Sequence, residues 1–193
     1  MIMKAARILI LIAFMVVEVS HVCSAKERKV RNSEFELAVG GIIGHANQYG
    51  ATPRPGGQLL LEYRYNIPES SLSLGAQASL GYFSRYDSSI DRISKVQNTG
   101  STTVYLDYNF RIKEKFSVFT GLGAGLMAID YEYPQWIAEN TYEQKFIFTR
   151  SAVLNPRVGI EAFKHLRVTF EYKLMKKSYS YFGINIGFVI GGK

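Results

Sequence analysis

Ten charged residues recur between apolar neighbours, and the chemistry open to them is ion pairing. The acids are Glu36, Glu62, Asp107, Glu161 and Glu171; the bases are Arg64, Arg111, Arg157, Arg167 and Lys173. Each stands between apolar residues, as in Leu61-Glu62-Tyr63 and Phe170-Glu171-Tyr172. On an extended chain that spacing puts every charge on one face and every apolar neighbour on the other. Five acids would then meet five bases in a closed polar interior. Other chemistry has less to build on. The three histidines, His21, His45 and His165, have no ligand spacing between them and the chain has one cysteine, Cys23, so no metal centre or other cofactor is expected. His165 falls in a short turn and reads as solvated.

The elements that must hold the charges are strands. Apolar and polar residues alternate over Glu34–Ile43, Gln58–Ile67, Leu72–Phe83, Ser101–Ile112, Phe116–Ile129, Arg150–Ala162, Leu166–Leu174 and Tyr179–Ile190. In the last, Phe182, Ile184, Ile186, Phe188 and Ile190 share one face, while Tyr181, Gly183, Asn185 and Gly187 share the other. Gly121, Gly123 and Gly125 fall on the inward face of the fifth strand, leaving room for long side chains from the opposite wall. Pro156 lacks a ladder donor, so a bulge or local break is expected there.

The connections sort by length. Turns near Pro68, Glu114 and Lys164 are short, whereas Gly44–Gly57, Ser84–Gly100 and Asp130–Thr149 are long. Parts of the third read as strand, because Phe146 and Phe148 keep the parity of Leu154, Val158 and Ile160. An even strand count puts both termini on the side of the short turns. From the second strand on, outward positions in the strand centres carry no charge, although 20% of the chain is charged. One Arg on a lipid-facing midplane position costs about 2–4 kcal/mol. The expected fold is therefore all-β: an eight-stranded antiparallel up-and-down transmembrane β-barrel whose lumen is filled by its own side chains. A soluble barrel would need the reverse facing, burying the charges or exposing a large apolar surface.

The N-terminus belongs to export. Lys4 and Arg7 precede an apolar run of ten from Ile8 to Val17, and Cys23-Ser24-Ala25 supplies small residues before a cut. This is a signal peptide over residues 1–25, followed by a polar lead-in at 26–33 and the barrel at 34–193. The formal charge of +7 comes with no basic helix or clustered basic run, which argues against nucleic acid and for an anionic membrane surface.

Signal, eight amphipathic strands, short turns and the closing FGINIGFVIGGK together resemble the small outer-membrane β-barrel proteins of the OmpA/OmpX-like type from Gram-negative bacteria. The resemblance implies a monomer in the outer membrane, contacts with its lipids and lipopolysaccharide, and a last strand read by the barrel-assembly machinery through Phe182, Ile184, Ile186 and Phe188. It also implies a non-enzymatic role in envelope integrity or surface interaction, with two alternatives. One is a lipid A-modifying enzyme, since such barrels use His with Ser and an acid near the outer rim, where His45, Asp87, Ser88 and Ser89 would lie. The other is a narrow porin. Lys176 and Lys177, beside Lys173, are candidates for lipopolysaccharide phosphates. Tyr131, Tyr133, Trp136 and Tyr142 in the third long connection are candidate anchors for an extracellular or host protein, or part of an aromatic membrane girdle.

Overall fold

The computed structural model describes residues 32–44, 52–87, 92–113, 116–138, 141–163, 165–175 and 179–191. Among them, eight long strands follow in order: β1 Ser33–Gly44, β2 Pro55–Asn66, β3 Leu72–Asp87, β4 Arg92–Lys113, β5 Phe116–Ala138, β6 Thr141–Ala162, β7 Leu166–Lys173 and β8 Tyr181–Ile190. Each pairs antiparallel with the next, and β8 pairs with β1 from Phe35 opposite Ile190 to Gly44 opposite Tyr181, closing the barrel. A two-residue extension, Thr52–Pro53, pairs with Arg85 and Tyr86 of β3.

Facing follows parity in every strand. Phe35, Leu37 and Val39 of β1 are exposed while Glu34, Glu36 and Ala38 between them are buried. In β8 the burial alternates without a break, Tyr181 and Asn185 inward, Phe182 and Ile184 outward. Large apolar side chains thus cover the outside, and polar ones fill the inside. Aromatic pairs mark the end near the termini: Phe35 with Tyr63 at 5.0 Å and Tyr108 with Phe110 at 4.8 Å.

Strand lengths depart from the sequence reading. β3 runs on to Asp87 and β4 begins at Arg92, so most of the expected loop Ser84–Gly100 is strand. In the third long connection, by contrast, the strand expected from the parity of Phe146 and Phe148 is present, β5 and β6 staying paired up to Trp136 opposite Tyr142. Beyond the bilayer both faces of a sheet meet water, so the alternation that marks a strand inside the membrane is not needed there.

Pro156 keeps register with Leu122 of β5, so no bulge forms. The break falls on its other side. The β6–β7 ladder stops at Arg157 opposite Glu171, and Leu154 then exchanges both backbone bonds with Leu174 at 2.8 and 3.0 Å. Two residues past Leu154, the N–H that would face Tyr172 is the one proline lacks.

The turn from β2 to β3 holds Glu69 at φ 59, in the left-handed region. Asn tolerates that region better than Glu. Replacing Glu69 by Asn should therefore recover part of the roughly 1–2 kcal/mol that this region costs an ordinary residue, read as a higher urea midpoint in detergent. An unchanged or lower midpoint would count against strain at this turn.

Candidate functional site

The lumen is built in layers. The lowest is ionic and centres on Arg157 of β6. Its Nη1 donates to Glu62 Oε2 at 2.6 Å across the lumen, while Nε and Nη2 donate to Asp107 Oδ1 at 2.9 Å and Oδ2 at 2.5 Å. Arg167 of β7 reaches the same two acids, at 3.3 Å to Glu62 and 3.1 Å to Asp107. Each guanidinium also lies over a ring, Arg157 3.3 Å from the Tyr105 centroid and Arg167 3.6 Å from that of Phe119. Arg64 pairs with Glu34 at 3.1 Å and Glu161 at 3.6 Å, and lies 3.9 Å from Glu36, which is 3.6 Å from Arg167. Paired charges buried this deeply are costly to separate.

The next layer is polar and centres on Glu171. Its carboxylate accepts from Gln58 at 2.8 Å, Asn155 at 3.0 Å and Asn185 at 3.2 Å. Lys173 lies 3.9 Å from it and donates to the hydroxyls of Ser79 at 2.6 Å and Ser101 at 2.8 Å. Ion–dipole bonds of this kind are stronger than neutral ones, and here they hold Lys173 between two walls of the barrel.

Above this the interior turns apolar. Ile42, Phe83, Met127, Ile129, Val153 and Tyr181 are buried against one another, with Met175 and Tyr179 packed on them. Phe83 and Tyr181 meet in a tilted arrangement, their ring centroids 5.8 Å apart. This cap closes the end of the barrel opposite the termini.

The side chain of Arg111 is outside the described ones; the other nine predicted core residues all line the lumen. Glu34, inward by parity but absent from the expected pairing set, is the nearest partner of Arg64. Tyr105 and Phe119 were also missed, although their parity marks them as inward and a ring beside an inward Arg is a cation–π signal. The inward glycines make room differently from the expectation. A Cβ on Gly121 would strike the Asp107 carboxylate, and one on Gly123 would crowd Tyr105 and Asn155, all from adjacent strands.

Phe182, Ile184, Ile186 and Phe188 form the outward face of β8. Tyr131, Tyr133 and Trp136 lie on β5 and Tyr142 on β6, with side chains outside the described ones. His45, Ser88, Ser89, Lys176 and Lys177 lie outside the described residues, and Asp87 ends β3. His165 stacks on Phe188 at 5.5 Å, its Nδ1 3.1 Å from the Val189 carbonyl oxygen.

A closed barrel that is apolar outside and ion-paired inside is a transmembrane β-barrel. Residues 10–191 match the model of the outer membrane protein beta-barrel domain, and the chain belongs to that family. It is of the small eight-stranded kind that its strand pattern resembles. No curated protein sequence matches it. Among solved structures it is similar to neisserial surface protein A, at 11% identity over 82% of this chain and 96% of that one, TM-score 0.53. It is also similar to OprG of Pseudomonas aeruginosa, at 12% identity over 84% and 98%, TM-score 0.49. The attachment invasion locus protein Ail of Yersinia pestis shares 15% identity over 82% and 99%, TM-score 0.46. The likeness to neisserial surface protein A is one of fold.

Proposed function

We propose that the chain is a non-enzymatic, monomeric barrel of a Gram-negative outer membrane, exported by a cleaved signal peptide and acting in surface interaction through the β5–β6 hairpin. The observation that carries this is the hairpin's open edge. β6 begins at Thr141, yet its last described pairing with the β7 side is Leu154 with Leu174. Over residues 141–149, about 30 Å of extended chain beyond the bilayer, no described strand pairs with that edge. Free backbone donors and acceptors on the outer side of a membrane are the means of strand addition by an extended segment of another protein. The charged groups at the centre of the barrel are, by contrast, paired with one another, which supports a structural role for them.

The test is a deletion of residues 133–140. Cells displaying the full chain should adhere to an extracellular-matrix or epithelial surface, and cells displaying the deletion should not. The deleted protein should still run as a compact band before boiling in SDS. Undiminished adhesion with the barrel intact, or no adhesion by the full chain, would remove surface interaction through this hairpin.

A further inference from the structure

The outer wall is uneven. On β7 and β8 the outward positions carry Val168, Phe170, Phe182, Ile184, Ile186 and Phe188, with no glycine or alanine among them. Centred on β3 to β5 and reaching Leu59 and Arg150 on either side, the outward face instead holds a groove of about 760 Å³. Its floor is Ala78, Gly100, Thr102 and Ala128, and its walls include Leu80 and Leu126, each 66% exposed. The volume falls within the range of small-molecule sites, about 300–1,000 Å³. A second groove of about 450 Å³ shares Ala78 and Thr102 with it and continues toward Phe35 and Tyr63.

The upper groove ends at a cation. Strand register sets Leu59, Leu80, Gly100, Ala128 and Arg150 side by side in one row across five strands. Arg150 is exposed and lies 5.6 Å from the Phe148 ring centroid. Among the described residues no acid pairs with it. Ala128, opposite Arg150, is twelve residues along β5 from Phe116, a rise of about 30 Å for a strand tilted as in barrels. The apolar band of such a barrel is about 25 Å tall. Arg150 therefore stands at the outer boundary of the hydrocarbon, at head-group level, with the groove descending from it toward the bilayer centre.

A guanidinium at head-group height above an alkyl-sized trough is complementary to a phosphate with an acyl chain beneath it. Arg binds phosphate with two parallel donors, and the trough removes the chain from the exchanging lipid around it. We propose that this face is a specific seat for a phosphorylated glycolipid of the outer leaflet, with its phosphate on Arg150 and one acyl chain over Gly100, Thr102 and Ala78. This deepens the reading of the chain as an outer-membrane barrel and rests on it.

The test is native mass spectrometry of the folded full-length barrel in a mild non-ionic detergent, with hexa-acylated bisphosphoryl lipid A or phosphatidylglycerol added. The wild type should retain one lipid A. Arg150→Glu should weaken retention at least about tenfold, and Ala78→Phe, which fills the trough and leaves the charge, should do the same. Ala128→Leu fills it from another strand and serves if Ala78→Phe does not fold. Equal retention of lipid A by Arg150→Glu and wild type would overturn the proposal. So would phosphatidylglycerol retained as well as lipid A, or a dimer of the chain that the groove-filling variants abolish in place of a bound lipid. A compact unboiled band without retained lipid removes this seat alone; no compact band in the outer-membrane fraction removes the barrel reading as well.

Discussion

Replacing Arg157 by Met should lower the unfolding free energy of the barrel in detergent by about 3–5 kcal/mol, the cost of leaving buried charge without its partner. Arg157 bridges walls that are not neighbours. Glu62 comes from β2 and Asp107 from β4, and both are buried. Met approximates the length of the stem but donates nothing, so Asp107 would keep the longer contact to Arg167, and Glu62 that to Arg167 and its bond with the Tyr105 hydroxyl. The energetic penalty lies in the stranded acids more than in the lost bonds. Accordingly, Glu62→Gln added to Arg157→Met should recover a substantial part of the loss, because an amide can be buried at lower cost than a carboxylate and Asp107 keeps Arg167 as its partner. The measurement is a urea titration of the fraction that runs compact in unboiled gels. A loss under about 1 kcal/mol, typical of an exposed ion pair, would mean that water reaches this layer.

Facing was legible in the sequence because a membrane barrel enforces it twice. Lipid penalises a charge on the outer face, and the narrow lumen leaves few places for a large apolar side chain to go, so Leu61-Glu62-Tyr63 admits one orientation. Three features were not legible, each for a separate reason. The extension of β3 and β4 through residues 84–87 and 92–100 lies where both faces are wet, and alternation carries no energy there. The pairing of Arg157 with Glu62 joins residues 95 apart in sequence, and depends on the stagger of the whole barrel. The apolar cap was hidden by the parity rule itself. Ile42, Phe83, Met127, Ile129 and Val153 sit on the inward face, where polar residues were expected, and each looks like an isolated exception until closure brings them together. Glu34 differs from these, since its parity was visible and only its role in the pairing set was missed.

Ionic layer and cap together make two barriers in series, and conductance should reveal both. The wild type in a planar bilayer should show no stable open step. Truncating the cap by Phe83→Ala with Tyr181→Ala should give none either, because Arg157 and Arg167 still cross the lumen to Glu62 and Asp107. Arg157→Ala alone should also stay silent, with Arg167 still holding both acids and the cap intact above. Only the three substitutions combined should produce a step, and the sign of its selectivity follows from the interior charges. Among the described lumen residues, Glu34, Glu36, Glu62, Asp107, Glu161 and Glu171 already outnumber Arg64, Arg157, Arg167 and Lys173. Removing Arg157 widens that excess, and a ring of carboxylates favours cations. The reversal potential under a KCl gradient should therefore move toward that of potassium. A stable step in the wild type would show that the lumen is not sealed, a step after cap truncation alone would make the ionic layer permeable, and chloride selectivity in the triple variant would mean that the described acids do not set the field along the path.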